Sequence, residues 1–513
     1  MSLGARVGRA IFWSQAGRMV EAAILFLFSL LLARVLGPSS YGLYALGMSL
    51  AGVLGFVTLL GLGPETLGRF LPELAADGRG GRPARLLRAL LVIRGAAIVS
   101  AACLIFPFRT IILARFHFPL ILECTAAVLL VFAGRSVLDL LTYFSSGLLE
   151  LRRVALAKVA AAAVAPALFV GFLISGHAGA TAAWASVAAG SLAGIVILGA
   201  PLLAERSAPF DHQQVPIRRI LAFGLFAWAT NFFVYILGDS TDVLLLGWLL
   251  PDRAAIGHYA VGARIVFSIT GLLLGWAALV SVASFSESYQ KGGPAGLARS
   301  VEAQWKLGIL CVAGPFLLLL RYARAIITTL YSTEYAASVP VIWVLCGFMG
   351  CAALLGFSLG TSALYAIGRE RVACLLVAGA ALFNIVVEVV LVRRMGIVGA
   401  AVATGLSFVV LAIASDVVSR ASVPWRFPVA FGGKVVAAAA AALVPTLWVR
   451  SDSVFLVAAG SVAWSIAFVL GLSILKPLHQ PESVALGRLS PRLARLAEFF
   501  APRNLGVAAG GAE

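Results

Sequence analysis

Charge is scarce in this sequence. Of 513 residues only 12% are Asp, Glu, Lys or Arg, while 61% are hydrophobic, and mean hydropathy is +1.01. Soluble domains carry roughly 25% charged residues, so the several water-soluble domains that length alone would allow are excluded. Thiols and imidazoles are few as well. The six cysteines (Cys103, Cys124, Cys311, Cys346, Cys351 and Cys374) fall in or beside apolar runs, and none forms a CxxC pair. That pattern excludes a disulfide framework and reads as small core hydrophobes. The five histidines are scattered, with no zinc-ligand spacing, so no metal site is expected.

Large polar segments are also missing. With the topology derived below, no outer loop exceeds about 20 residues. A membrane polymerase, ligase or glycosyltransferase commonly sets its catalytic groups on such a loop. We find no paired carboxylates at an aqueous face, no metal cluster and no nucleophile motif. No catalytic residue is expected, and the chain is not read as an enzyme.

What is present is a series of apolar runs long enough to cross a hydrocarbon core of ~30 Å. They lie at about 10–35, 41–63, 86–107, 119–149, 154–175, 180–203, 217–250, 255–285, 301–320, 336–366, 370–392, 396–418, 428–449 and 453–475. The first follows Arg6 and Arg9, contains Arg18 and Glu21, and is followed at once by another span. It reads as a first transmembrane helix, not as a cleaved signal segment.

The formal charge is +17, from 39 Lys and Arg against 22 Asp and Glu. The basic residues are spread over short inter-helix segments, not gathered in a domain, which speaks against nucleic acid as a partner. With the N-terminus inside, 26 of the 39 fall in cytoplasmic segments, nine in outer loops and four within spans. The positive-inside rule therefore puts both termini in the cytoplasm and requires an even number of helices. The tail after Lys476 interleaves Leu489, Leu493, Leu496 and Phe500 with Arg488, Arg492 and Arg495. It reads either as a helix lying on anionic membrane lipid or as a frayed basic tail.

The two halves echo one another. Gly42-Leu43-Tyr44-Ala45 follows the first span, and Gly257-His258-Tyr259-Ala260 follows the seventh, 215 residues later. Leu31-Leu32 and Leu245-Leu246 precede them, and Gly80-Gly81 and Gly292-Gly293 follow. Helices 1–6 thus read as a parallel repeat of helices 7–12, an arrangement that sets a pseudo-twofold axis along the membrane normal with a substrate site between the halves. The expected division is an N-terminal lobe at 1–210, a C-terminal lobe at 211–420, helices 13 and 14 at 421–476, and a basic tail at 477–513.

The run Leu31-Leu32-Ala33-Arg34-Val35-Leu36-Gly37-Pro38-Ser39-Ser40-Tyr41-Gly42-Leu43-Tyr44-Ala45 resembles the opening of the polysaccharide-biosynthesis flippases. These belong to the multidrug/oligosaccharidyl-lipid/polysaccharide exporter superfamily. Thr241-Asp242-Val243-Leu244-Leu245-Leu246-Gly247, Glu334-Tyr335-Ala336-Ala337, Asn384 and Gly396-Ile397-Val398-Gly399-Ala400-Ala401-Val402-Ala403-Thr404 extend the resemblance over about residues 10–420. It implies an all-α polytopic membrane protein, about 14 transmembrane helices in two pseudo-symmetric lobes around a central cavity. It also implies a location in the bacterial inner membrane. The implied activity is export of undecaprenyl-pyrophosphate-linked oligosaccharide repeat units by alternating access, for cell-surface polysaccharide. The substrate would be a polyprenyl-pyrophosphate-linked glycan, and a polysaccharide polymerase and a chain-length regulator are implied partners. A cation-coupled multidrug or metabolite antiporter of the same superfamily and a peptidoglycan-precursor flippase are the alternatives.

Ionisable groups within spans are costly and mark function by default. A pyrophosphate head needs a wet cationic path, and the arginine fork suits phosphate. The candidate substrate-binding residues are Arg18, Glu21, Arg94, Arg135, Asp139, Arg264, Asn231 and Asn384. Arg18 and Glu21 are three residues apart and Arg135 and Asp139 four apart, so each pair shares a helix face and also suits a neutralising structural pair. For Arg94, near a cytoplasmic end, snorkelling is the plainer reading. Arg264 is either a free cation for pyrophosphate or a partner of Asp239 or Asp242. Asn231 and Asn384 suit sugar hydroxyls or interhelical hydrogen bonds. Asp239, Asp242 and Glu388 are the candidates for coupling to a proton or a sodium ion, with a solvated helix-end turn as the plainer reading of the two aspartates. No cofactor is expected beyond such an ion. The pairs Gly271/Gly275 and Gly356/Gly360 suit close helix packing.

Overall fold

A long apolar chain in lipid must satisfy its backbone internally, and helices do so. In the computed structural model, residues 3–76, 82–116, 121–204, 217–448 and 454–476 are described, and among them there is no strand. The helices are α1 (Leu3–Val57), α2 (Pro64–Ala76), α3 (Arg82–Arg115), α4 (Ile121–Gly147), α5 (Leu151–Ile174), α6 (Ala180–Ala204), α7 (Ile217–Ile236) and α8 (Asp239–Leu249). They continue with α9 (Arg253–Ile326), α10 (Val339–Leu354), α11 (Leu359–Ala366), α12 (Glu370–Met395), α13 (Ile397–Arg420), α14 (Val429–Ala441) and α15 (Val454–Leu475). Among the described residues twelve helices are long and apolar enough to cross a membrane. Each of the fourteen spans read from the sequence is helical.

The breaks have local causes. The first two spans form one helical run, α1, interrupted at Gly37 (φ 69°, ψ 171°) just before Pro38. The eighth and ninth are likewise continuous in α9, which breaks at Gly293 (φ 58°) before Pro294. The seventh span is not one helix: α7 ends and α8 starts across Leu237-Gly238. The span at 336–366 is also divided, at Gly356 (φ 85°) and Phe357 (φ 46°). Gly356 is therefore a turn residue, and a Cβ there would also meet the Phe427 ring at 3.4 Å. Gly360 does pack, since a Cβ there would stand 2.7 Å from the Ser415 main chain, while Gly271 meets nothing within 4 Å. Gly80-Gly81 and the tail 477–513 lie outside the described residues.

The chain falls into two compact units. The first holds residues 1–261 and 381–404. Small residues bring its helices together, as expected where lipid removes the hydrophobic drive for helix association. A Cβ on Gly190 would lie 2.4 Å from the Ala161 carbonyl, and one on Gly47 would lie 2.3 Å from the Trp184 ring. The Trp184 indole N–H donates to the Tyr44 carbonyl at 3.1 Å and fixes that ring. A cluster of Leu67, Phe70, Leu86, Leu90, Leu140 and Phe144 fills one end of this unit.

The repeated motif explains itself in this unit. A Cβ on Gly42 would meet the Arg253 carbonyl at 2.1 Å, and one on Gly257 would meet the Pro38 carbonyl at 2.0 Å. The contact is reciprocal: each glycine faces the residue four places before the other. Only hydrogen at both positions lets α1 and α9 approach this closely.

The second unit holds residues 262–380 and 405–513. Its core gathers Trp305, Trp425, Phe431 and Val435. The Trp305 indole donates to the Leu354 carbonyl at 3.0 Å, and the Trp464 indole to Ala439 at 3.1 Å. Arg420 pairs with Asp416 at 2.9 Å and lies over the Trp425 and Phe427 rings.

Candidate ion-coupling and substrate site

Asp242 sits in the first turn of α8 and is fully buried, so the solvated-turn reading of it fails. Three side chains from three other helices converge on its carboxylate. The Tyr259 hydroxyl of α9 donates to Oδ2. The Thr404 hydroxyl of α13 donates to the same oxygen at 2.8 Å, and Asn384 Nδ2 of α12 reaches Oδ1 at 3.5 Å. One helical turn beyond Asn384 is Glu388, also fully buried, whose carboxyl stands beside Asp242. Apart from Asp242, nothing hydrogen-bonds to the Glu388 carboxyl. Asp239, three residues before Asp242, is partly exposed at the start of α8.

The local chain explains the convergence. The break at Gly238 starts a new helix whose fourth residue, Asp242, is buried, and Asn384 and Glu388 share a face at the i, i+4 spacing. Thr404 is reached because α13 follows α12 after the turn at Gly396 (φ 59°). The result is two carboxyl groups, a phenol, a hydroxyl and an amide in one buried cluster. Two adjacent carboxylates cannot both stay ionised there without a counter-charge. Among the described residues no group of three or more His, Cys, Asp or Glu stands close enough to hold a metal ion.

A second charged group lies in the same unit, on its basic side. Arg94 of α3 is only 1% exposed. It does not snorkel: Nε donates to the Ser136 carbonyl at 3.3 Å and Nη2 to the Gly55 carbonyl at 3.1 Å. Asp139 of α4 lies among Arg135, Lys158 and Arg94. Glu21 makes its ion pair with Lys158 of α5 at 3.8 Å, while Arg18 and Arg135 are exposed. Arg264 is exposed on α9 and falls in the second unit. Asn231 stands on the wall of a separate cavity in the first unit. The structure thus gathers Asp242, Asn384 and Glu388 in one place and Glu21, Arg94, Arg135 and Asp139 in another. Sequence reasoning did not assign roles to Tyr259 and Thr404. Both lay in quoted motifs, but polar residues of those types carry no charge to flag them.

Comparison with known proteins supplies the family. The profile described as "Polysaccharide biosynthesis protein" matches residues 7–288, more than half of the chain. This chain belongs to the polysaccharide biosynthesis protein family. An uncharacterized membrane protein, MJ1068, of Methanocaldococcus jannaschii is 24% identical over 224 residues, which are 42% of this chain and 43% of that one. The alignment therefore spans less than half of that relative. Among solved structures, lipid II flippase MurJ in an inward closed conformation matches with TM-score 0.72 at 15% identity, over 90% of this chain and 98% of that one. An inward-facing multidrug resistance MATE family transporter of the MOP superfamily matches with TM-score 0.66 at 14% identity, over 78% and 94%. This family member therefore shares the fold of those flippases and transporters, and it is a multi-pass membrane protein.

Proposed function

We propose that this chain is a cation-coupled flippase. It moves polyprenyl-pyrophosphate-linked oligosaccharide repeat units from the cytoplasmic to the outer leaflet of the bacterial inner membrane by alternating access, with both termini cytoplasmic. The buried Asp242–Glu388 pair, two carboxyl groups side by side with no cationic side chain among the hydrogen-bond partners of Asp242, carries the reading. Such a pair has no use in a static scaffold, where it costs stability. It is useful where occupancy by a proton or a sodium ion biases one conformation against another. Membership of a polysaccharide-biosynthesis family supports the glycan-lipid substrate. Exposed Arg18, Arg135 and Arg264 are the residues assigned to the pyrophosphate, whose charge needs a cationic path. Arg94 is held by main-chain carbonyls at Nε and Nη2, which leaves Nη1 as its one donor without a hydrogen-bond partner.

The test is transport in liposomes that carry a fluorescent polyprenyl-pyrophosphate sugar on one leaflet. Protection from an impermeant quencher is followed with and without a proton or sodium gradient. Movement is expected to need the protein and to quicken with one gradient, and Arg18→Ala, Arg135→Ala and Arg264→Ala should each slow it several-fold at unchanged protein level. Movement of lipid II but not of other glycan lipids would make the chain a peptidoglycan-precursor flippase. Gradient-driven efflux of a small cationic drug without lipid movement would make it an antiporter.

A further inference from the structure

Residues 228, 232 and 235 of α7 recur at i, i+4 and i+7 and are Trp, Phe and Tyr, so one helix face is aromatic over two turns. Phe56, at the end of α1, joins them. Its ring stacks on Tyr235 (centroids 4.9 Å, 24° between planes) and on Trp228 (6.3 Å, 24°). Trp228 stacks on Phe232 (5.5 Å, 25°). The Trp228 indole donates to the Phe56 carbonyl at 2.9 Å, which fixes the ring. The helices come this close because Gly61 and Gly224 touch: a Cβ on Gly61 would meet the Gly224 carbonyl carbon at 2.2 Å.

This stack walls a cavity of about 310 Å3, which lies wholly within the first compact unit. That volume is at the low end of small-molecule sites, ~300–1,000 Å3. Nothing charged lines it; the polar side chains are those of Thr66, Tyr143, Asn231 and Tyr235. The Thr66 hydroxyl is fully buried on that wall and has no hydrogen-bond partner. Buried polar groups are normally satisfied, and an orphaned one facing a cavity points to a ligand group. Pyrophosphate is excluded as the occupant, because no cation lines the cavity. A rigid aromatic stack also suits a quaternary cation, but no carboxylate stands on this wall to reinforce it.

We infer that this cavity is a sugar subsite, in which one pyranose of the glycan lies its C–H face on the Phe56–Trp228–Tyr235 platform and hydrogen-bonds through its hydroxyls to Thr66 and Asn231. The inference rests on the flippase reading and adds to it a place for the sugar next to the lipid. It separates head-group recognition into two chemistries: arginine for phosphate, and flat rings with neutral polar edges for carbohydrate.

The experiment measures binding by the full chain in nanodiscs, using native mass spectrometry and two probes: polyprenyl pyrophosphate, and the same lipid carrying one N-acetylglucosamine or one galactose. Wild type is expected to hold at least one glycosylated lipid tenfold or more tightly than the sugar-free lipid. Trp228→Leu and Thr66→Val should erase that preference while changing sugar-free binding less than twofold. Trp228→Phe, which keeps a flat ring, should retain most of the preference. Equal loss on both probes in Trp228→Leu, or retention of the preference in both Trp228→Leu and Thr66→Val, would overturn the subsite. So would wild type showing no preference, or tetraphenylphosphonium displacing the glycosylated lipid from wild type but not from Trp228→Leu. In each of those cases leaflet transport of the glycan lipid judges the flippase reading separately.

Discussion

Asp242 and Arg94 are both buried to within 1% of full burial and lie in the same compact unit, yet the protein satisfies them with different kinds of partner. Asp242 takes its hydrogen bonds from three side chains on three helices. Arg94 gives its bonds to main-chain carbonyls of α1 and α4. Side chains can change rotamer and can trade a donor for a cation. A main-chain carbonyl within a helix cannot move without the helix. The carboxylate therefore sits in an exchangeable shell and the guanidinium in a fixed one. The difference sorts two intramembrane charges that look alike in sequence: the aspartate is suited to switching, and the arginine clips α3 to α1 and α4.

Removing the clip gives the largest expected effect. Arg94→Ala leaves Asp139 with fewer counter-charges, and should cost about 3–5 kcal/mol of stability. It is checked by the thermal midpoint of purified protein in detergent, and by transport normalised to folded protein, which should stay near wild type. A stable Arg94→Ala protein that no longer moves lipid would reverse the assignment. Next comes the exchangeable site. Glu388→Gln and Asp242→Asn keep the shapes but abolish the paired charge. Each should lower the gradient-driven rate by roughly 10- to 100-fold, leaving ungraded movement and the thermal midpoint little changed. If the gradient still accelerates transport in both variants, coupling lies elsewhere. The smallest effect belongs to Thr404→Val, which removes one donor to Asp242 and should cost about 1–1.5 kcal/mol. Sodium-22 binding or a shift in the pH dependence of transport reads it directly, and it sharpens the contrast because the hydrogen bonds of Arg94 go to main-chain carbonyls.

Much of this was legible from the sequence, for physical reasons. Apolar run length fixes helices in lipid almost without exception, so the spans and the all-helical fold could be read from hydropathy alone. Breaks inside those runs could not. Gly238 divides α7 from α8 while Gly271 does nothing comparable, and only backbone geometry separates the two. Asp242, Asn384 and Glu388 stood out because each is polar in an apolar run, but their meeting depends on two helices, α8 and α12, far apart in the chain. Tyr259 and Thr404 escaped notice as site residues because a phenol and a hydroxyl are cheap enough in a span to pass as packing. Arg94 was misread as snorkelling, since distance from a helix end says nothing of which carbonyls lie within its reach.

The reciprocal approach of Gly42 to Arg253 and of Gly257 to Pro38 has the form of a homodimer contact. In a true dimer any substitution would appear on both sides of such an axis at once. Joined in one chain, the two sides are free to differ. At the same 215-residue offset Tyr259 corresponds to Tyr44, but Asp242 corresponds to Leu27. The scaffold is paired and the ionisable chemistry is single. One polypeptide can thus keep the close-packed seam of a twofold contact while carrying the buried Asp242 carboxylate at one of two corresponding positions only.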